Sequence, residues 1–387
     1  MKKLLAVILM VPLVLSLVAC GGEKDKKTKD FETLKAEYQA KTAEELLSEH
    51  VKDTSQATDE EITSLVKTAV YGEINEKYVF ESNITDKALD ILQEKSVKSA
   101  YATNYAKNLL DDEDKIVRAY VYDSFSTYIP LDDKEIENYL IEKIKAETDT
   151  AVVACILHGL SNALSERPEF ADYAVTYTQN EDPVIRYWAT YALGFYRPDD
   201  NEKYVDAMIP LLKDSNSEVS ELACGEIGGF GNEKAVEPLA AVLADEALAD
   251  IHGAAADSLE ELWMNFPFYD GTSEAAYRAH MAYLNSDSEN PDIPDWRSIS
   301  SITNPGGGYE DWKTQSAYFS VDELITILTK IVSDKGVDSL TRTTAIQKIG
   351  AFGTAENLEA LKAMVTGDEK ENTLMTTIES ELGKKNQ

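Results

Sequence analysis

Catalysis near neutral pH usually draws on histidine, cysteine and acidic side chains, and this chain has only 4 histidines and 3 cysteines. His50, His158, His252 and His280 are scattered, and none stands in a His-Glu-x-x-His or Cys-x-x-Cys setting that would hold zinc. Neither a metal site nor a cofactor is expected. Gly306-Gly307-Gly308 lacks the Lys and Ser/Thr of a phosphate-binding loop, and no Gly-x-Ser-x-Gly elbow presents a nucleophilic serine. Among 70 acidic residues, paired carboxylates occur throughout and single out no site. Between Asn285 and Asp295 oxygen ligands alternate as at the start of a calcium loop, but the sixth-position glycine and the closing glutamate are missing. A solvated acidic loop is the simpler reading, and no catalytic residues are expected.

Cys20 has a setting of its own. It follows a basic start, Met1-Lys2-Lys3, and an apolar run from Leu4 to Leu17 broken only by Pro12 and Ser16, which is the layout of a secretory signal. The run is shorter than the roughly 20 apolar residues that span a bilayer. Leu17-Val18-Ala19-Cys20 resembles the lipobox of bacterial lipoproteins. That resemblance implies cleavage before Cys20, a diacylglycerol on its thiol, acyl chains such as palmitate, and anchoring to the extracytoplasmic face of a bacterial membrane. Residues 1–19 would then be the signal peptide, and 20–30 the lipidated cysteine with a polar, flexible tether.

Charge narrows the partners. A formal net charge of -33 repels nucleic acid phosphates and anionic headgroups, so no nucleic acid partner is expected and basic partners are favoured. The acids are spread along the chain, as on a solvated surface. Besides Cys20 only Cys155 and Cys224 remain, too few for a disulfide scaffold.

The elements that must position any site come from an internal repeat. Apolar anchors at Val117, Val152, Ile185, Val219 and Ile251 are spaced by 35, 33, 34 and 32 residues. Eight residues after them stand Phe125, Leu160, Leu193, Ile227 and Leu259, and Gly194 and Gly228 follow two of these. Between the anchors lie second segments with helical apolar spacing, such as Ile136, Leu140 and Ile144, or Val205, Ile209 and Leu212. Each unit is therefore a helix pair. Gly228-Gly-Phe-Gly-Asn-Glu-Lys-Ala-Val aligns without gaps on Gly350-Ala-Phe-Gly-Thr-Ala-Glu-Asn-Leu, a further copy downstream. Asp114, Asp182 and Asp338 each precede an anchor by three residues and an arginine by four, so they are expected to cap helices and pair with Arg118, Arg186 and Arg342. Cys155 and Cys224 fall on first helices two repeats apart, too distant to bridge, and read as core.

The stretch from Asp114 to Leu262, with 335–366, resembles HEAT repeats of the short kind found in phycobilisome-lyase-like proteins. The resemblance rests on the Asp or Asp-Pro turn, the Val-Arg or Ile-Arg pair, the small-residue face and the closing Leu-Gly. It implies an all-α fold, an α-solenoid of stacked helix pairs. The layout is then an N-terminal helical capping region over 31–110, repeats over 111–262, an insertion over 263–319, and C-terminal helices with one more repeat over 320–387.

The insertion breaks the frame. Its 57 residues hold eleven aromatics, about twice the chain average of 9%, among them Trp263, Phe268, Tyr269, Trp296, Tyr309 and Trp312. A helix is expected over Ser273–Leu284, followed by a long loop of the kind that often carries function. Two readings stay open: the aromatics pack the insertion onto the solenoid, or they stay exposed and stack on sugar rings or grip a partner protein. The function expected is a membrane-anchored module of the cell envelope that binds or scaffolds a protein, on the concave face of stacked second helices or on the insertion. A carbohydrate-binding lipoprotein, an envelope enzyme with its site in the insertion, and a structural spacer are the alternatives.

Overall fold

The computed structural model describes residues 29–81, 83–95, 108–128, 134–264, 273–284 and 320–385. The leader, Cys20 and nearly all of the tether lie outside them, as do Phe268, Tyr269, Trp296, Tyr309, Trp312, the 285–295 acidic loop and the three-glycine run. No helix among the described residues is long and apolar enough to cross a membrane.

The chain is all-α, a solenoid of helix pairs. At the N-terminus come α1 (Phe31–Gln39), α2 (Ala43–His50), α3 (Asp59–Val66) and α4 (Ile84–Glu94). Thr42 with Glu45 and Thr58 with Glu61 close reciprocal caps on α2 and α3. Between α3 and α4 stands a hairpin that the helical reading of 31–110 did not contain, β1 (Glu73–Ile74) antiparallel to β2 (Phe80–Glu81).

The repeats come next as pairs: α5 (Lys115–Tyr128) with α6 (Lys134–Ile144), α7 (Thr150–Gly159) with α8 (Pro168–Val175), and α9 (Pro183–Gly194) with α10 (Glu202–Met208). The next two are α11 (Ser217–Ile227) with α12 (Val236–Leu243), and α13 (His252–Met264) with α14 (Glu274–Leu284). Helices α15 (Val321–Ser333), α16 (Ser339–Phe352), α17 (Ala355–Val365) and α18 (Glu371–Lys385) close the array. All five anchor residues are buried. The expected caps are present: Asp114, Asp182 and Asp338 each accept a backbone N–H two residues on, at 2.8–2.9 Å, and Asp149, not singled out from sequence, does the same at 3.1 Å. Such a cap contributes about 1 kcal/mol.

The arginines do not pair as expected. Arg186 lies closer to the loop ahead, where Nε and Nη2 meet Asp214 at 2.7 and 2.6 Å, and Nη1 donates to the carbonyls of Asn180 and Glu181. Arg118 does the same with Glu147 and the carbonyls of Asp112 and Glu113. Arg342 is fully buried against Asp368 and the Val332 carbonyl. A guanidinium has five donors in a flat fork, so it can tie its own incoming loop to an acid in the next. His252 keeps part of this role, its Nε2 donating to the Asp245 carbonyl at 3.1 Å. These arginines are repeat-to-repeat ties.

The closing glycines also have a packing reason. Gly228 is still helical, and a Cβ there would lie 2.6 Å from the Ser258 carbonyl oxygen of α13. At Gly194 a Cβ would meet the Glu226 carboxylate of α11 at 2.4 Å. The missing side chain lets the next first helix approach. Accordingly, successive first helices (α5, α7, α9, α11, α13) touch along their length, whereas second helices touch one another little. Successive first helices therefore form a continuous row, a second candidate surface beside the concave face of second helices expected from sequence.

Candidate functional site

Helix α9 starts with Asp182 as cap and Pro183 at its first position, both suited to a helix N-terminus. Its core stripe is Ile185, Ala189, Ala192 and Leu193. Beside that stripe, at helical spacing, runs a second one: Tyr187, Trp188, Tyr191 and Phe195. Tyr187 and Trp188 meet edge to face at 4.9 Å between centroids, Trp188 and Tyr191 at 5.4 Å, Tyr191 and Phe195 at 5.0 Å. Phe195, at the end, is 40% exposed. Edge-to-face pairs of this kind hold one another rigid, which lowers the entropy cost of presenting them to a ligand.

Neighbouring first helices extend the stripe sideways. Equivalent positions on α5, α7 and α9 are Asp123, His158 and Tyr191, each six residues past its anchor. His158 Nδ1 donates to Asp123 Oδ1 at 2.7 Å, and its ring lies 4.5 Å from Trp188. On α11 the same position is Gly225, where a Cβ would meet nothing within 4 Å. The row thus passes from polar to aromatic to an open step. Beyond it Arg197 bridges Glu226 and Glu261 at 3.1 and 3.4 Å. Burial pushes the Glu261 carboxyl up, and Arg197 opposes this.

The hairpin reaches the same surface. Lys77 and Tyr78, at its tip, touch α7, α9 and α11. Elsewhere an open cleft of about 770 Å³ lies among α1, α2, α4 and the hairpin, but Lys41 and Lys87 face Glu44, Glu73, Glu81 and Asp90 there. That lining is mixed in sign and has no aromatic platform besides the buried Tyr38.

Among the residues singled out from sequence, Trp263 needs correcting. It is fully buried between α13 and α14, edge to face with Tyr277 at 5.2 Å, and its Nε1 donates to His280 Nδ1 at 3.2 Å. A side chain with no exposed surface is core and offers nothing to a ligand. The helix expected over 273–284 is present, capped by Ser273. Cys155 and Cys224 are free and buried, and burial pushes both thiols up, Cys224 to about 12. Among the described residues no group of three or more His, Cys, Asp or Glu is placed to hold a metal ion. The α9 stripe was missed because its aromatics sit inside the repeat frame. Their signal was four aromatics at positions 187, 188, 191 and 195, wider than one core face needs.

A family model of HEAT repeats matches residues 175–260, the segment from the end of α8 through most of α13. The aromatic stripe and the open step at Gly225 both fall inside it. No curated protein matches the chain. Residues 175–260 are thus similar to HEAT repeats, whose stacked units present continuous surfaces that suit protein binding.

Proposed function

We propose that this is a lipid-anchored, extracytoplasmic HEAT-repeat module that holds a protein partner on the row of its first helices, with no catalysis of its own. The observation that supports a binding role there is the row of Tyr187, Tyr191 and Phe195, partly open beside the buried Trp188 on an otherwise acidic chain. Aromatic anchors rimmed by charge are where binding energy concentrates. The anchoring rests on the lipobox-like Leu17–Cys20 and on the polar tether after it, long enough to hold the solenoid off a bilayer.

A photoreactive phenylalanine at position 195, in intact cells, should cross-link a discrete partner, and the same group at Lys203 on the exposed side of α10 should not. Equal labelling at both positions would reject the first-helix row. For the anchor, mass spectrometry of the mature N-terminus should find a diacylated Cys20, and Cys20→Ser should release the protein from the membrane fraction. An unmodified Cys20 would reject the anchoring.

A further inference from the structure

The hairpin tip, Asn75–Val79, is packed like a bound peptide. Asn75 builds the turn, accepting the backbone N–H groups of Lys77 and Val79 on its side chain. Two consecutive carbonyls of the tip are then held by side chains on neighbouring first helices. The Lys77 carbonyl accepts from Trp188 Nε1 at 2.8 Å, and the Tyr78 carbonyl accepts from Cys155 Sγ at 3.2 Å. Side-chain donors aimed at successive carbonyls recognise a main chain whatever its sequence, and flanking contacts then add a preference. Here Lys77 Nζ sits 2.8 Å from Glu218 and 5.2 Å above the Tyr187 ring, while the Tyr78 hydroxyl donates to Asp182 at 3.2 Å. Tyr78 holds a φ of 59°, a left-handed conformation rare for a residue with a side chain. Such a conformation persists only where the surroundings impose it, so leaving the groove would relieve it.

We propose that this tip is an intramolecular occupant of a track along the first helices, and that the track's external ligand is a peptide turn presenting a lysine followed by a tyrosine. The proposal rests on the reading of the first-helix row as the binding surface and names the chemistry of its partner. Lysine is selected twice, by the Glu218 carboxylate and by the Tyr187 π-face. The tyrosine is selected by Asp182, which accepts from its hydroxyl. Past the tip the track runs on over Tyr191 toward the open step at Gly225, which leaves room for a ligand longer than the hairpin loop. The tip and the external peptide compete for Trp188 and Cys155, so the free protein is held in a closed state.

The test uses a synthetic peptide of residues 73–81, Glu-Ile-Asn-Glu-Lys-Tyr-Val-Phe-Glu, titrated by calorimetry into full-length protein. One variant replaces Asn75–Val79 with Asn-Gly, a two-residue turn that keeps the Ile74–Phe80 pairing. A second, Lys77→Ala with Tyr78→Ala, keeps the loop length and the strained φ but removes both side-chain contacts to Glu218 and Asp182. Both should bind the peptide at least tenfold more tightly than the wild type, and an Ala-for-Lys, Ala-for-Tyr peptide should lose at least tenfold. If the second variant unfolds cooperatively yet fails to bind, or binds the doubly substituted peptide equally well, the proposal is wrong. Unfolding of both variants at ambient temperature would make the tip a structural strut and likewise overturn it. Cross-linking at position 195 reads the binding face independently, so its success alongside peptide failure rejects only this inference.

Discussion

Arg186 and Asp214 face each other in parallel, Nε to Oδ2 at 2.7 Å and Nη2 to Oδ1 at 2.6 Å, across 28 residues of sequence. Burial pushes the Asp214 carboxyl up, but the guanidinium and the Asn216 N–H overcome this and hold it below the usual range. Arg186→Met should therefore cost about 2 kcal/mol, because it strands a half-buried carboxylate and two loop carbonyls. Asp182→Asn, which keeps the cap, should change stability by less than about 0.5 kcal/mol. Urea unfolding of the two variants tests the assignment, and equal losses would return the pairing to Asp182.

Gly159→Ala should be among the costliest single-methyl changes in the chain. A Cβ there would lie 2.1 Å from the Tyr122 carbonyl oxygen and 2.7 Å from the Asp123 Cα, both backbone atoms that cannot rotate away. A loss of about 3 kcal/mol is expected from overpacking. Gly225→Ala, with nothing within 4 Å, should be neutral or slightly stabilising. Thermal melts of the pair settle the contrast.

Trp263→Ala should destabilise by about 3 to 5 kcal/mol, as for a buried aromatic, while leaving partner cross-linking at position 195 intact in whatever fraction stays folded. Its neighbour His280 is held neutral, with burial lowering its pKa to about 3. The unfolded chain takes up that proton near pH 6.5, so the stabilising contribution is present above 6.5 and is lost as pH falls below it. His280→Phe should remove this part of the acid sensitivity in denaturant midpoints measured between pH 7 and 4.

Asp86 has the opposite sign. Burial raises its carboxyl to about 6; the Tyr120 hydroxyl, donating at 2.6 Å, partly offsets this, and Asp123 and Asp90 add repulsion. A raised folded pKa favours the neutral form, so this stability is complete below pH 4 and disappears as pH rises through 6. Asp86→Asn should gain roughly 2 kcal/mol at pH 7.5 and nothing at pH 3.5. A gain equal at both pH values would show that packing, not charge, is responsible.

The frame was legible because its determinants are local. A buried residue every fourth position, an Asp two before the first free N–H, and a glycine where helices close up all leave marks within one repeat. Partners chosen by stacking leave none. Nothing near Arg186 distinguishes Asp214 from Asp182, and only the juxtaposition of consecutive loops decides. The hairpin was illegible for another reason: strands of two residues show a single alternation, and the turn is closed by the Asn75 side chain and a left-handed Tyr78 in place of an Asn-Gly pair. Trp263 was misassigned because aromatic enrichment reports neither burial nor exposure.

A solenoid of neighbour contacts is expected to assemble by zippering, each repeat adding to the last with little loop to close. The hairpin tip changes those kinetics. Its bonds to Cys155, Asp182 and Trp188 join residues 77, 104 and 111 positions apart. They can form only after α7, α9 and α11 have already stacked, so docking of the tip comes late in folding and its release comes early in unfolding. Amide exchange should show this as a sub-global opening in which the hairpin exchanges well before the helices it rests on.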